Sequence, residues 1–80
     1  MNFIRPEKTT IPLYFQLEQI IKSKIITGEY IPGEQIPTEK DLCETYKVSN
    51  ITARQAILNL VKEGLLIRIP GKGTFVTEEI

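Results

Sequence analysis

The sequence predicts an α+β domain in which three helices precede a β-hairpin, and three observations lead to this prediction. Apolar residues recur at steps of three and four within 13–25 and within 53–61, as they do along the buried face of a helix. Thr38 and Ser49 stand where helices would begin, because their hydroxyls accept hydrogen bonds from free backbone N–H groups. The stretch 65–77 consists of two β-rich runs around a turn that contains glycine, which is typical of a hairpin.

The first helix is predicted to begin at Pro12, since the fixed φ of proline and its missing N–H suit a first turn. Gly28 is predicted to end this helix as a C-terminal cap. The apolar face of the helix is Leu13, Leu17, Ile20, Ile21 and Ile25. Residues 1–10 are polar and mixed in charge, and we expect them to form a flexible N-terminal arm.

The second helix is predicted to be short, about two turns, and to start at Thr38. Asp41 lies three residues later and makes a weak version of a capping box. The residues expected to face inward or to close this helix are Leu42, Cys43 and Tyr46. A tight connection at 47–48 then leads to the next helix.

The third helix is predicted over residues 49–63, with Ser49 as its cap and Gly64 closing it. Its apolar stripe is Ala53, Ala56, Ile57, Leu60 and Val61. The runs 65–69 and 74–77 are the predicted strands, and Ile36 is a candidate for a third short strand at their edge. A two-stranded hairpin is not stable alone, so we expect it to pack against the helices.

This order of elements is that of a winged helix-turn-helix domain, predicted over residues 11–77. In such a domain the second helix of the pair, 49–63 here, enters the major groove of DNA. The hairpin, 65–77, is the wing and is expected on the minor groove or the DNA backbone.

Charge is unevenly distributed, although ten bases and ten acids give the chain a net charge of zero. Residues 1–46 carry a net charge of −2, whereas residues 47–77 carry five bases and one acid, a net charge of +4. The positive half can therefore meet phosphate even on a neutral chain.

Several classes of protein are disfavoured by composition. Histidine is absent and Cys43 is the only cysteine, so we predict no metal site, no internal disulfide and no cofactor. Cys43 is interpreted as a small buried side chain. No apolar run is long enough to cross a membrane, and a free thiol fits the cytoplasm.

The start of the third helix carries the candidate DNA-reading residues. Asn50 and Arg54 are four positions apart and share an outward face, which Thr52 and Gln55 flank. Arginine pairs with guanine, and asparagine or glutamine pairs with adenine. No acid occurs within 47–61, and the N-terminus at Ser49 favours an anion such as phosphate.

Two flanking positions are also candidates for DNA contact. Lys40 lies in the first turn of the second helix, a poor place for a cation unless a phosphate is near. Lys72 lies at the hairpin tip, between Gly71 and Gly73, whose turn is expected to need φ above zero. These glycines would also allow the backbone to approach DNA closely.

The sequence resembles the GntR family of bacterial regulators over about residues 12–76. The resemblance rests on five motifs in order: Pro12-Leu13-Tyr14 with Gln16-Leu17, residues 28–39, residues 48–56, residues 63–66 and residues 71–76. The opening motif leans slightly toward the HutC-like or YtrA-like branches of the family.

This resemblance implies a metabolite-responsive transcriptional repressor that binds a near-palindromic operator as a homodimer. Residues matching Lys40, Asn50, Arg54 and Gly71 contact DNA in this family, with Ser49, Thr52 and Lys72 in support. Asn50 and Lys40 depart from the family pattern, because arginine is usual at the position of Asn50 and common at the position of Lys40. A C-terminal domain would bind a small-molecule effector, and residues 78–80 would begin the linker to it.

Two other functions remain as alternatives. A winged helix can serve protein contact, but a large apolar patch on the third helix would then be expected. A small enzyme is the less favoured alternative, because no histidine and no spaced carboxylate pair is available for catalysis.

Overall fold

The computed structural model describes residues 11–78, which form three helices and a two-stranded antiparallel sheet. The elements are α1 (Leu13–Ile26), α2 (Glu39–Tyr46), α3 (Asn50–Lys62), β1 (Leu66–Ile69) and β2 (Gly73–Val76). Their order confirms the predicted winged helix-turn-helix. The predicted arm, 1–10, and the end of the predicted linker lie outside the described residues. No helix within 11–78 is long and apolar enough to cross a membrane.

The helices begin and end at the residues that the sequence indicated. Thr38 Oγ1 accepts a hydrogen bond from the Asp41 N–H at 3.1 Å, and Asp41 Oδ2 accepts one from the Thr38 N–H at 3.2 Å. This is a complete capping box, stronger than the weak version expected. Ser49 Oγ caps α3 by accepting from the Thr52 N–H at 3.1 Å. After α1, the chain leaves through Gly28 at φ +86°.

One hydrophobic core lies between the helices and the base of the hairpin. Its buried apolar residues are Leu17, Ile21, Ile25, Ile36, Leu42, Ala53, Ala56, Ile57, Leu60, Leu66 and Val76. Leu13, Ile20 and Val61, which were predicted to share the apolar stripes, are only partly buried. The core therefore fixes α3 by one face and leaves its opposite face outside.

Cys43 corrects one expectation, because its side chain is only partly buried. It packs against the margin of the core, as Tyr46 and Val48 also do. Its position in α2, beside the fully buried Leu42, turns the thiol toward the start of α3 rather than into the core centre. There the thiol donates to the Asn50 side chain, with 3.1 Å between Sγ and Oδ1.

The hairpin pairs Leu66 with Val76 at its base and Ile69 with Gly73 near its tip. Leu66 and Val76 are buried and join the hairpin to the core. The edge strand predicted at Ile36 is a single bridge from Gln35 to Phe75. Ile36 is itself 2% exposed and part of the core, while its N–H donates to the Thr74 carbonyl at 2.9 Å.

Lys24, in the last turn of α1, forms a charged contact with the turn that follows this helix. Lys24 Nζ lies 2.9 Å from Glu29 Oε2 and 5.9 Å from the centre of the Tyr30 ring. The hydrogen bond to Glu29 raises the pKa of the Lys24 ammonium, and burial raises the pKa of the Tyr30 phenol. The contacts of Lys24 with Glu29 and Tyr30 therefore hold the 28–31 turn against α1.

Candidate nucleic-acid interface

The turn between α2 and α3 sets the position of α3. Lys47 adopts the left-handed conformation at φ +59°, and the N–H of Val48 donates to the Cys43 carbonyl at 3.2 Å. A non-glycine residue in this conformation allows the chain to reverse within two residues. The tight connection predicted at 47–48 is confirmed.

The outward face of α3 is a continuous strip that lies opposite the buried residues of the same helix. Asn50, Ile51, Arg54, Gln55 and Leu58 line a shallow groove of about 320 Å³ along this strip. Asn50 and Arg54 are both exposed and lie one turn apart, as their spacing predicted. The strip therefore presents an amide, a guanidinium, a second amide and two aliphatic side chains to solvent.

Glu39 is an acid that the packing brings to this strip and that the sequence reasoning missed. Its Oε1 lies 3.6 Å from Arg54 Nε, and its Oε2 lies 3.7 Å from Arg68 Nη2. The stretch 47–61 lacks acids, but α2 delivers one from outside it. The signal available in the sequence was the place of Glu39 in the first turn of the helix that packs against α3.

Arg68 joins the candidate interface through the same carboxylate. It lies on β1, and its side chain is 46% exposed, against 63% for Arg54 and 24% for Glu39. Two guanidinium groups from two elements thus meet on one carboxylate. Glu39 is the least exposed member of this group, and both arginines remain largely accessible to solvent.

Ser49 and Thr52 form a local pair at the start of α3. Ser49 Oγ donates to Thr52 Oγ1 at 3.0 Å, besides accepting from the Thr52 N–H. Thr52 is only partly exposed. The two hydroxyls therefore serve the helix cap, and phosphate binding at Ser49 remains a prediction.

Gln55 is oriented by a chain of hydrogen bonds that reaches into the interior. Its Nε2 donates to Asn59 Oδ1 at 2.8 Å, and Asn59 Nδ2 donates to Glu18 Oε2 at 2.6 Å. Glu18 is 4% exposed, and a carboxylate accepts hydrogen bonds without donating. This order of donors leaves Gln55 Oε1, on an exposed residue, available as an acceptor.

The positive φ predicted for the glycines of the wing tip is confirmed, with values of +78° at Gly71 and +134° at Gly73. A Cβ on Gly73 would overlap the Gln35 side-chain amide, whose Nε2 donates to the Lys72 carbonyl at 3.0 Å. A Cβ on Gly71 would meet no atom within 4 Å. The positive φ favours glycine at both positions, and a Cβ would also displace the Gln35 amide at Gly73 but would meet open space at Gly71.

Lys40 and Lys72 lie outside the strip, Lys40 in the first turn of α2 and Lys72 at the wing tip between β1 and β2. Both are exposed, and within residues 11–78 neither ammonium forms an ion pair. The structure therefore gathers Asn50, Arg54 and Gln55 on one face of α3 and leaves these two lysines on other elements.

Comparison with known proteins identifies the kind of domain. The model of the gntR family of bacterial regulatory proteins matches residues 13–76. The HTH-type transcriptional regulator YurK of Bacillus subtilis is 57% identical over 68 residues, which are 85% of this chain and 28% of YurK. The transcriptional repressor NagR of the same organism is 42% identical over 72 residues, 90% of this chain and 30% of NagR. The chain thus spans less than a third of these curated relatives.

Solved structures give the same fold. The domain of AraR crystallised in complex with an operator superposes with a TM-score of 0.83 at 42% identity, covering 86% of this chain and 83% of that chain. A second operator complex of AraR superposes with a TM-score of 0.89 at 37% identity, covering 94% of both chains. These relatives are named as transcriptional regulators, and none of those cited is named as an enzyme.

Proposed function

The chain belongs to the gntR family of bacterial regulatory proteins, and from this premise we propose that residues 11–77 bind operator DNA sequence-specifically. The observation that carries the proposal is the superposition of nearly the whole domain on AraR bound to operator. The outward strip of α3 supplies the chemistry, since it exposes polar donors and acceptors on the helix that enters the major groove in this class of domain.

Base reading is assigned to the first two turns of α3. Arg54 donates to guanine O6 and N7, and its contact with Glu39 limits the directions in which the guanidinium can turn. Asn50 reads an adenine edge with its amide, in place of the arginine common in the family. Gln55 and Thr52 flank these two residues, and Ser49 supports the helix start.

Phosphate contact is assigned to the flanks. Lys40 at the start of α2 and Lys72 at the wing tip are unpaired cations within the described chain and can each neutralise a phosphate. Gly71 lets the tip approach the backbone or minor groove closely, because no atom fills the space beside it.

The whole regulator is proposed to be a cytoplasmic homodimer that represses transcription from a near-palindromic site and responds to a small metabolite. Relatives named as repressors of arabinose metabolism and of histidine utilisation support this proposal. The effector would bind a separate domain, to which residues 78–80 begin the linker. Two linked half-sites would bind much more tightly than one, because the second contact is made at high effective concentration.

Selection from a random DNA pool with the 80-residue chain tests the proposal. We expect enrichment of one short half-site, and binding of that site to weaken steeply as salt rises. If no sequence is enriched at low salt, the domain does not read DNA. In that case the alternative, a winged helix used for protein contact, becomes the better interpretation.

A further inference from the structure

Ile51 is the most exposed large apolar residue of the described chain, with 81% of its surface accessible. It lies in the first turn of α3. At roughly 3.6 residues a turn, it points about 170° away from the mean direction of the buried Ala53, Ala56, Ile57 and Leu60. No residue of α3 is directed more squarely away from the core.

The neighbours of Ile51 make its exposure informative. Asn50, Arg54 and Gln55 surround it in the shallow groove, and Leu58 lies two turns further along the same strip. An exposed aliphatic side chain thus lies beside three side chains that donate or accept hydrogen bonds. Ile51 is the one exposed large apolar residue among those lining this groove, whereas apolar surfaces that dock proteins extend over several hundred Å².

We propose that Ile51 is a specificity-determining residue that packs against the C5-methyl group of a thymine in the major groove. This inference rests on the proposed DNA binding. The thymine methyl is the apolar group that base pairs display in that groove, and adenine, guanine and cytosine present donors and acceptors instead. An isoleucine flanked by Asn50 and Arg54 therefore matches a thymine next to the bases which those two residues read.

Removal of single methyl groups from the operator tests the contact. In the selected half-site, each thymine is replaced in turn by deoxyuridine, which lacks only the C5-methyl, and affinity is measured by fluorescence anisotropy. We expect one position at which the parent chain loses about three- to fivefold in affinity, from the transfer free energy of one methyl group. The Ile51→Ala variant is expected to bind the thymine and deoxyuridine forms of that position equally.

The matched control is Ile26→Ala, which truncates another exposed isoleucine, 75% accessible, at the far end of α1. This variant should keep the parent pattern at every thymine. If Ile51→Ala loses affinity at the same thymine and by the same factor as the parent chain, the inference is overturned while DNA binding stands. The same holds if the selected half-site has no thymine among the bases that α3 covers. Loss of all binding by the parent chain would instead remove the proposed function.

Discussion

The strip on α3 and the wing tip both offer cationic and polar groups, but the molecule holds them in different ways. On the strip, side chains contact other side chains: Arg54 meets Glu39, Gln55 meets Asn59, and Asn50 meets Cys43. At the tip, only the backbone is held, through the hydrogen bond from Gln35 to the Lys72 carbonyl. The Lys72 ammonium makes no ion pair within the described residues.

This difference separates two tasks of a DNA-binding domain. A side chain whose direction is restricted before binding discriminates between bases, because it loses less freedom on contact with the correct edge and cannot adapt to a wrong one. A free ammonium on a flexible stem follows any phosphate. We therefore expect the strip to decide sequence preference and the tip to add affinity for DNA of any sequence.

The largest effect is expected from Arg54→Ala. The change removes a restricted guanidinium and should cost about 1–3 kcal/mol in operator binding, with preference relaxed at one base pair. Titration of the operator and of its single-base variants measures both effects. Lys62→Ala is the matched control, since Lys62 is an exposed cation in the last turn of the same helix. Equal losses for the two variants would make Arg54 a general charge rather than a base reader.

A smaller effect of a different kind is expected from Glu39→Gln. Losing the carboxylate frees both arginines and removes a negative charge near the DNA, so non-specific binding should tighten a few-fold while the ratio of specific to non-specific affinity falls. Stability should change by at most about 1 kcal/mol, because exposed ion pairs contribute little. Competition with random-sequence DNA measures the ratio.

Glu44→Gln provides the control for charge alone, since Glu44 is an exposed acid on the same helix without an ion pair among residues 11–78. If both variants lose specificity equally, Glu39 acts through its charge and not through its contact with Arg54. If Glu39→Gln keeps the parent ratio of specific to non-specific affinity, the contact of Glu39 with Arg54 does not contribute to specificity. The proposed difference between the strip and the wing tip would then be wrong.

The smallest effect on sequence preference is expected from Lys72→Ala. Binding to all sequences should weaken by a similar factor, and the slope of log affinity against log salt should fall by about 1. Lys72→Arg should retain the parent slope, because it keeps the charge at the tip. A change of preference at a single base pair would show instead that the tip reads sequence.

The fold could be predicted from the sequence to the extent that it depends on local signals. The caps at Thr38 and Ser49, the spacing of apolar residues on α3 and the glycines of the hairpin act within a few residues of each other. The strand boundaries were predicted to within one residue, since Leu66–Ile69 and Gly73–Val76 replace the expected 65–69 and 74–77.

The candidate interface was less predictable, because its organising contacts join residues far apart in the chain. Asn50 and Arg54 could be placed on one face from helical spacing alone. The bonds from Asn59 to Glu18 and from Gln35 to Lys72 span 41 and 37 positions. No local pattern encodes these partners, and the contact of Glu39 with Arg54 likewise depends on how α2 packs against α3.

The strand-like segment 34–36, just before α2, connects the wing to the helix-turn-helix through backbone hydrogen bonds. Ile36 donates to the Thr74 carbonyl, and the Val76 N–H donates to the Glu34 carbonyl, both at 2.9 Å, so residues 34–36 are fastened along β2. Two residues later, Thr38 opens the helix that bears Lys40. Backbone hydrogen bonds therefore tie the segment that leads into α2 to the wing, so the two are expected to move together. We expect a phosphate contact at Lys72 to restrict where Lys40 can reach the DNA, which would make binding sensitive to the spacing of phosphates along the duplex.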